Sequence, residues 1–354
     1  MPERLNKGLA TVAQLVAEHN FDAILDARSP AEFAEDHLPG AMSCPVLSNE
    51  QRAQVGTLYK QTTAFDAKKI GAVLVARNIA DHIERHFLDK PKGWRPLVYC
   101  WRGGKRSGAF AHILREIGWD ANRLEGGYKA WRRHIIDALT VLPNNFRFKV
   151  ISGPTGSAKS RILEALGRQG AQILHLEELA AHKGSVLGNL PDAPQPAQKM
   201  FETQLFSALS AFDAACPVYV EAESRRIGQL QVPDALIAAI RAAPCIRIEA
   251  SRTARADFLL RDYDYFLSRP QWLIEQLSRL RGLQSNEALA QWTALIAAGD
   301  FRALVEALLE EHYDALYQRS QERNYRDFSD AAVFAATDLS PDSIEAIARQ
   351  IKAA

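Results

Sequence analysis

Two short stretches carry residues whose types and spacing could do chemistry, and each lies where an apolar run gives way to a helical pattern. In LVYCWRGGKRSGAFAHILREIGW, Cys100 sits just past a buried-strand pattern, and six residues of turn chemistry separate it from a helix beginning near Ser107. Gly103 and Gly104 let successive backbone N–H groups point into that loop, while Arg102, Lys105 and Arg106 bring positive charge. Together they would stabilise a thiolate, persulfide or selenide anion at Cys100. The alternative is a small core cysteine at the end of a strand, which is what most free cysteines are.

In FKVISGPTGSAKSRILEAL a strand pattern, a glycine-bearing turn and a helix follow one another, and Gly153 to Ser160 nearly match G-x-x-x-x-G-K-[ST]. Around Gly153, Thr155, Gly156 and Ser157, backbone N–H groups and a helix N-terminus would surround phosphate oxygens. Lys159 would reach the outer phosphates and Ser160 would be available to Mg²⁺. Ala158 stands where the motif has its glycine, so a methyl group is expected to crowd the backbone or the phosphate and to work against efficient nucleotide hydrolysis. The run PVYVEAES places Glu221 or Glu223 at the carboxyl end of a strand, where Mg²⁺ would lie; either is otherwise a surface charge. Ser160 with Glu221 is the expected metal pair.

The elements that must position these residues alternate. FDAILDAR, LVYCW and RLEGG read as strands, with GLATVAQLVAEH and RSGAFAHILREIG as helices between them. Residues 49–92 are helical and longer than a plain connection requires. Pro143 and two asparagines in VLPNNFRF interrupt the pattern, giving domains over 1–142 and 143–354. Further strands are expected near 147–152, 171–176, 217–221, 245–249 and 331–335, as in a doubly wound sheet, with a helical insertion at about 270–328. Arg252, Arg255 and Arg261 are spaced to share a helix face, either a positive site or a solvated one. The fold class is α/β in both halves.

A chain of 354 residues suggests two cores, and 47% hydrophobic with 24% charged residues is an ordinary globular composition. A net charge of +1 exerts no global pull on nucleic acid, so any RNA contact must come from local cations. Cys44, Cys100, Cys216 and Cys245 form no CxxC pair, which fits reduced thiols in a cytoplasm and offers no metal cluster. No run approaches the ~18 apolar residues of a membrane helix, so no membrane partner is expected.

The Cys100 loop, together with DARSPAEFAEDHLPGAMSCP (Asp26 to Pro45) and LEGGYKAW (Leu124 to Trp131), resembles the rhodanese family in the family's order. The resemblance implies that Cys100 is the nucleophile and the loop from Arg102 to Arg106 an anion cradle. Asp26, Arg28, Glu32 and His37 would be salt-bridge and turn residues. Cys100 to Arg106 also spans the seven residues of a Cdc25-type phosphatase loop, a reading that spacing alone leaves open.

A rhodanese-like module followed by a P-loop domain resembles the tRNA 2-selenouridine synthase family over essentially the whole chain. VGTLYKQ, HLEELAAHKGS, FETQL, VEAESRRIG and LLEEHYDALY agree with that family. The resemblance implies a tRNA substrate whose wobble 2-thiouridine exchanges sulfur for selenium. Selenophosphate and geranyl diphosphate would be the co-substrates, an S-geranylated nucleoside the intermediate, and a selenophosphate-supplying enzyme a partner. Lys183, Arg225, Arg226, Arg132 and Arg133 are the RNA-contact candidates, each otherwise a solvated cation. Two rival readings are a P-loop kinase or ATPase with a regulatory rhodanese-like module, and a plain sulfurtransferase.

Overall fold

The computed structural model describes residues 8–18, 21–61, 63–314, 317 and 331–354. The parts of the expected helical insertion on 315–316 and 318–328 lie outside the described residues. Packing divides the chain into two units, Met1–Ala138 with Glu202–Gln204, and Leu139–Phe201 with Leu205–Ala354.

The first unit runs β1 (Leu9–Ala10), α1 (Val12–Glu18), β2 (Ala23–Asp26), α2 (Pro30–Glu35), β3 (Ala41–Ser43), α3 (Asn49–Gln61), α4 (Ala64–His86), β4 (Pro96–Tyr99), α5 (Lys105–Ile117), β5 (Asn122–Leu124) and α6 (Gly127–Val141). Its sheet has the order β1-β5-β4-β2-β3 and is parallel throughout. β4 is central with all four residues buried, which is why it reads as an unbroken apolar run rather than an alternating one. The short strands β1 and β3 escaped sequence reading because two or three residues give no periodicity. Residues 49–61 and 64–86 form the helices α3 and α4, and only Ala67 and Ile79 of the pair are fully buried.

A buried charge knits this unit together. Arg28 is 1% exposed, pairs with Asp26 at 2.6 Å and donates to the Asp36 carbonyl at 2.6 Å. Its guanidinium lies 4.0 Å from the centroid of Tyr128, whose hydroxyl donates to Asp36 Oδ2 at 2.7 Å. Burial opposes the charge, but the hydrogen bond and charge of Asp26 outweigh it and raise the Arg28 pKa. His37 stacks on Phe33 with centroids 3.9 Å apart, and its Nδ1 lies 2.9 Å from the Phe33 carbonyl.

The second unit runs β6 (Phe148–Ser152), α7 (Lys159–Arg168), β7 (Gln172–Leu174), α8 (Leu176–Leu179), α9 (Gln198–Ser210), β8 (Val218–Glu221), β9 (Arg226–Ile227), β10 (Leu230–Gln231), α10 (Asp234–Arg241) and β11 (Cys245–Ala250). It continues with α11 (Arg252–Asp262), α12 (Asp264–Leu267), α13 (Pro270–Leu277), α14 (Asn286–Ala298), α15 (Phe301–Leu308), a π turn over Leu309–Tyr313, β12 (Ala332–Ala336) and α16 (Pro341–Ala353). The main sheet, β12-β11-β6-β8-β7, is again parallel, and β9 and β10 form a separate hairpin. Helices α7 and α16 cover it through Ile162, Leu166, Ile344, Ile347 and Ile351. The helical stretch starts at Arg252, directly after β11, and α12 to α15 gather a core of their own around Trp292, Leu277 and Leu304.

Removing one partner of a buried ion pair strands the other charge, so Asp26→Ala should cost about 3–5 kcal/mol of unfolding free energy in urea titration of the whole chain. A loss below ~1 kcal/mol would contradict the structural role given to Arg28.

Candidate active site

Each unit carries one site, at the carboxyl end of a central parallel strand. In the first, Cys100 follows β4, is 3% exposed, and its Sγ lies 3.2 Å from the Ser107 hydroxyl in the first turn of α5. The loop is clamped by the start of α6. Tyr128 N–H donates to the Cys100 carbonyl at 2.9 Å and Lys129 N–H to the Trp101 carbonyl at 3.0 Å, so two loop oxygens are engaged by helix amides instead of facing an anion.

That clamp explains the glycines of LEGGYKAW. Gly127 has φ +58°, and a Cβ there would lie 2.2 Å from the Cys100 carbonyl oxygen and 2.4 Å from the Gly103 nitrogen. Gly103 in turn has φ +65°, and a Cβ on it would meet the Leu124 carbonyl at 2.7 Å. Among the loop cations, Arg102 and Lys105 are exposed with Gly104, whereas Arg106 donates to Glu32 at 2.8 Å. Burial would raise Glu32, but Arg106 holds it down to about 2. Arg106 is thus held in an ion pair with Glu32, and Arg102 and Lys105 are the exposed cations of the loop.

In the second unit the loop between β6 and α7 carries the phosphate motif at the point where the sheet order switches, β6 lying between β11 and β8. Ala158 occupies a left-handed conformation at φ +59° and packs in the core beside Ile162. The cost of its methyl is therefore backbone strain, on the order of 1–2 kcal/mol. Lys159 Nζ donates to the Gly153 and Pro154 carbonyls at 2.8 and 3.4 Å, folded over the loop it would release when phosphate arrives. A cleft of about 420 Å³ is lined by Gly153, Thr155 to Ser160, Glu177, Lys183 and Glu223.

The carboxylate that reaches Ser160 is not the expected one. Ser160 Oγ donates to Glu177 Oε2 at 2.7 Å. Glu221 is fully buried and accepts from Glu177 N–H at 2.8 Å, with His175 Nδ1 at 3.0 Å. Glu223 lines the cleft, and a Cβ on Gly184 would lie 2.4 Å from Glu223 Oε1 and 2.7 Å from Glu177 Oε1, so both carboxylates converge on one backbone turn. Burial, then the neighbouring acids, push Glu177 up and Glu223 well above the usual carboxylate range. The structure sets Glu177 and not Glu221 against the Ser160 hydroxyl, with the expected Glu221 behind them. Among the described residues no group of three His, Cys, Asp or Glu side chains could hold a metal ion.

His175 lies between Glu221 and Glu164, the latter at 3.4 Å. Burial works against its charge, yet the hydrogen bonds its ring donates to Glu164 and Glu221 lift it to about 10, and His175 in turn holds Glu164 down to about 2.

A second, apolar cavity of about 80 Å³ adjoins the phosphate cleft. Thr155, Ser185, Leu259, Tyr263 and Tyr313 line both, and Leu273, Phe301, Leu304 and Leu308 line the apolar cavity alone. Sequence reading missed it, since its wall is assembled from α11, α13, α15 and the π turn.

Of the RNA candidates, Lys183 is inside the phosphate cleft, 3.1 Å from Asp262. Arg225 and Arg226 are exposed at the β9–β10 hairpin, Arg225 paired with Asp234 at 2.7 Å and Arg226 donating to the Gly228 carbonyl. Arg133 is exposed on α6. The three arginines of α11 do not form one face: Arg252 pairs with Glu310, Arg261 donates to the Leu339 carbonyl, and Arg255 is buried against Asp314 at 2.7 Å.

Residues 146–285 match the family model "tRNA 2-selenouridine synthase AAA domain", and residues 9–134 match "Rhodanese-like domain". A tRNA 2-selenouridine synthase of Marinobacter nauticus is 33% identical over 83% of this chain and 87% of its own length. The chain belongs to the tRNA 2-selenouridine synthase family. A family member from Alcanivorax borkumensis is 33% identical over 84% of this chain and 89% of its own. One from Nitrosomonas europaea is 35% identical over 73% of this chain, which spans 66% of that relative. Among the described residues no helix is long and apolar enough to cross a membrane.

Two outcomes follow from this geometry in a synthase of this family. Gly127→Ala should cost on the order of 3 kcal/mol and slow alkylation of Cys100, because the clamp cannot close around a methyl; full stability with normal thiol reactivity would contradict the clamp. His175 has a folded pKa of about 10 against 6.5 unfolded, so its stabilisation is complete below pH about 6.5 and disappears as pH rises through about 10. Thermal unfolding between pH 6 and 10 should show a decline that is shallower in His175→Gln; parallel curves would refute it.

Proposed function

We propose that this chain makes 2-selenouridine in tRNA by geranyl transfer in the second unit and selenium transfer at Cys100. The observation that carries the reading is the apolar cavity opening beside the phosphate loop, with five residues lining both. An amphiphilic donor with a diphosphate head and a short hydrocarbon tail needs that pairing. At ~10–15 Å³ per water, the cavity has room for roughly six waters, the size class of a short branched chain.

In this reading the diphosphate of geranyl diphosphate lies on the amides of Gly153 to Lys159, with Lys159 and Lys183 matching its charge. The C1–O bond breaks, its electron pair leaves on the diphosphate, the 2-thio sulfur takes the geranyl group, and the base loses its N3 proton. Mg²⁺ would find hard oxygen donors in Ser160 and Glu177, 2.7 Å apart, with Glu223 beside them, and would supply further charge to the leaving group. In the second stage Cys100 is the nucleophile: its thiolate, stabilised by the glycine-bearing loop and by Arg102, bonds to C2 and expels geranylthiolate with its electron pair. The selenium of selenophosphate then displaces the Cys100 thiolate from C2, and water takes the phosphoryl group off selenium as phosphate, leaving the 2-seleno base.

The test is 2-thiouridine-containing tRNA incubated with geranyl diphosphate and selenophosphate, then digested for nucleoside mass spectrometry. Lys159→Ala should lose geranyl-thio and seleno nucleosides together, by tenfold or more. Cys100→Ala should still form the geranyl-thio nucleoside and fail to convert it. Selenouridine made at the wild-type rate by Lys159→Ala would contradict the assignment.

A further inference from the structure

The fragment VGTLYKQ belongs to neither site, yet its place on α3 gives it a use. Gln51, Val55 and Leu58 are the part-buried residues of this stretch, so they mark the face turned to α4. Asn49, Arg52, Gly56, Tyr59 and Lys60 recur at helical spacing on the solvent side and form one stripe. Tyr59 is 43% exposed, Arg52 is half exposed, and a Cβ on Gly56 would meet nothing within 4 Å.

The stripe begins at the thiol loop. Asn49 and Arg52 line a hollow of about 620 Å³ together with Trp101, Arg106 and Glu32. Trp101 is the residue after the nucleophile, and its indole lies 5.3 Å from Tyr128, which leaves it half exposed on a rigid backing. Two acids line the hollow: Glu32 is matched by two guanidiniums, Arg106 at 2.8 Å and Arg52 at 3.2 Å, and Glu35 is exposed. Along α3 the single acid, Glu50, is off the stripe and bonded to Ser48 at 2.7 Å. Lys60 has no acidic partner among the described residues.

We propose that the α3 stripe from Asn49 to Lys60, ending at Trp101, is the track on which a single-stranded RNA loop lies to bring its base to Cys100. The inference rests on the tRNA substrate proposed above. Over about 16 Å the stripe carries the cations Arg52 and Lys60 and the ring of Tyr59, with Trp101 beyond its first turn, the combination that follows a flexible phosphodiester while stacking its bases. Gly56 keeps the middle of the track free of side chain, so the strand can approach the helix backbone. Trp101, backed by Tyr128, is the stacking platform nearest the sulfur, and an unpaired base is the form of RNA that such a platform takes.

The experiment is titration of full-length protein with 2-thiouridine-containing tRNA at several salt concentrations, using wild type, Tyr59→Ala, Tyr59→Phe, Lys60→Ala and, as an equal charge loss elsewhere, Lys92→Ala. Lys60→Ala should weaken binding threefold or more and lower the salt slope by about one, whereas Lys92→Ala should not. Tyr59→Ala should weaken it roughly fivefold, with Tyr59→Phe close to wild type. Cys100 alkylation rates should stay equal in all five, placing the effect in docking and not in the loop. Equal affinities and salt slopes in wild type, Tyr59→Ala and Lys60→Ala would overturn the track while leaving the tRNA reading intact. No tRNA binding by wild type would overturn both.

Discussion

Both units depend on one constraint: backbone must approach backbone closely where a central parallel strand turns sharply into a helix, the place where N–H groups would meet an anion in the proposed reading. Side-chain cations alone would not hold the geometry, because long arginines and lysines are mobile. Backbone amides are fixed by the fold, but only if the chain comes close enough to present them. The glycines at 103, 126 and 127 in the first unit, and at 153 and 156 in the second, provide that approach, each with a Cβ position already occupied by a neighbouring atom. At Ala158 the second loop keeps the left-handed turn and bears the strain of a methyl.

The loops are held still by buried charge. Arg28, closed in by Asp26, the Asp36 carbonyl and the ring of Tyr128, ties β2 to the first turns of α6, and α6 in turn holds the carbonyls of the thiol loop. His175 does comparable work behind the phosphate loop, fixing Glu221, which accepts from the backbone of Glu177, the residue that meets Ser160. In each unit a charge that touches no substrate positions groups that would.

What was legible in the sequence was local. The Cys100 loop and the Gly153–Ser160 loop each carry their glycines, cations and flanking strand within a few residues, so spacing alone reveals them. Glu177 was not legible as a site residue: it meets Ser160 across 17 positions, and nothing in HLEEL distinguishes it from a surface glutamate until α8 folds back on α7. The choice between Glu221 and Glu223 stayed open for the same reason, and burial divides them, one behind the site and one lining it. The three arginines of α11 share a spacing but not a face partner, because helix period says where residues point and not what meets them. The apolar cavity draws its residues from several helices, four of them from α15, a pattern that reads as ordinary core.

In the proposed reading that cavity favours an amphiphilic diphosphate over a nucleotide as the ligand of the phosphate loop. Beside the loop a nucleotide would need polar partners for sugar and base, whereas Leu187, Phe266, Leu304 and Leu308 offer hydrocarbon. The most direct measurement is calorimetric affinity of the purified chain for geranyl diphosphate, inorganic pyrophosphate and ATP with Mg²⁺ present, repeated on Leu304→Trp, which fills the cavity. Burying the tail should make geranyl diphosphate bind at least tenfold tighter than pyrophosphate in wild type, with the advantage lost in Leu304→Trp and ATP binding weaker than either. Equal affinity for geranyl diphosphate and pyrophosphate, or tight ATP binding unaffected by Leu304→Trp, would contradict the account.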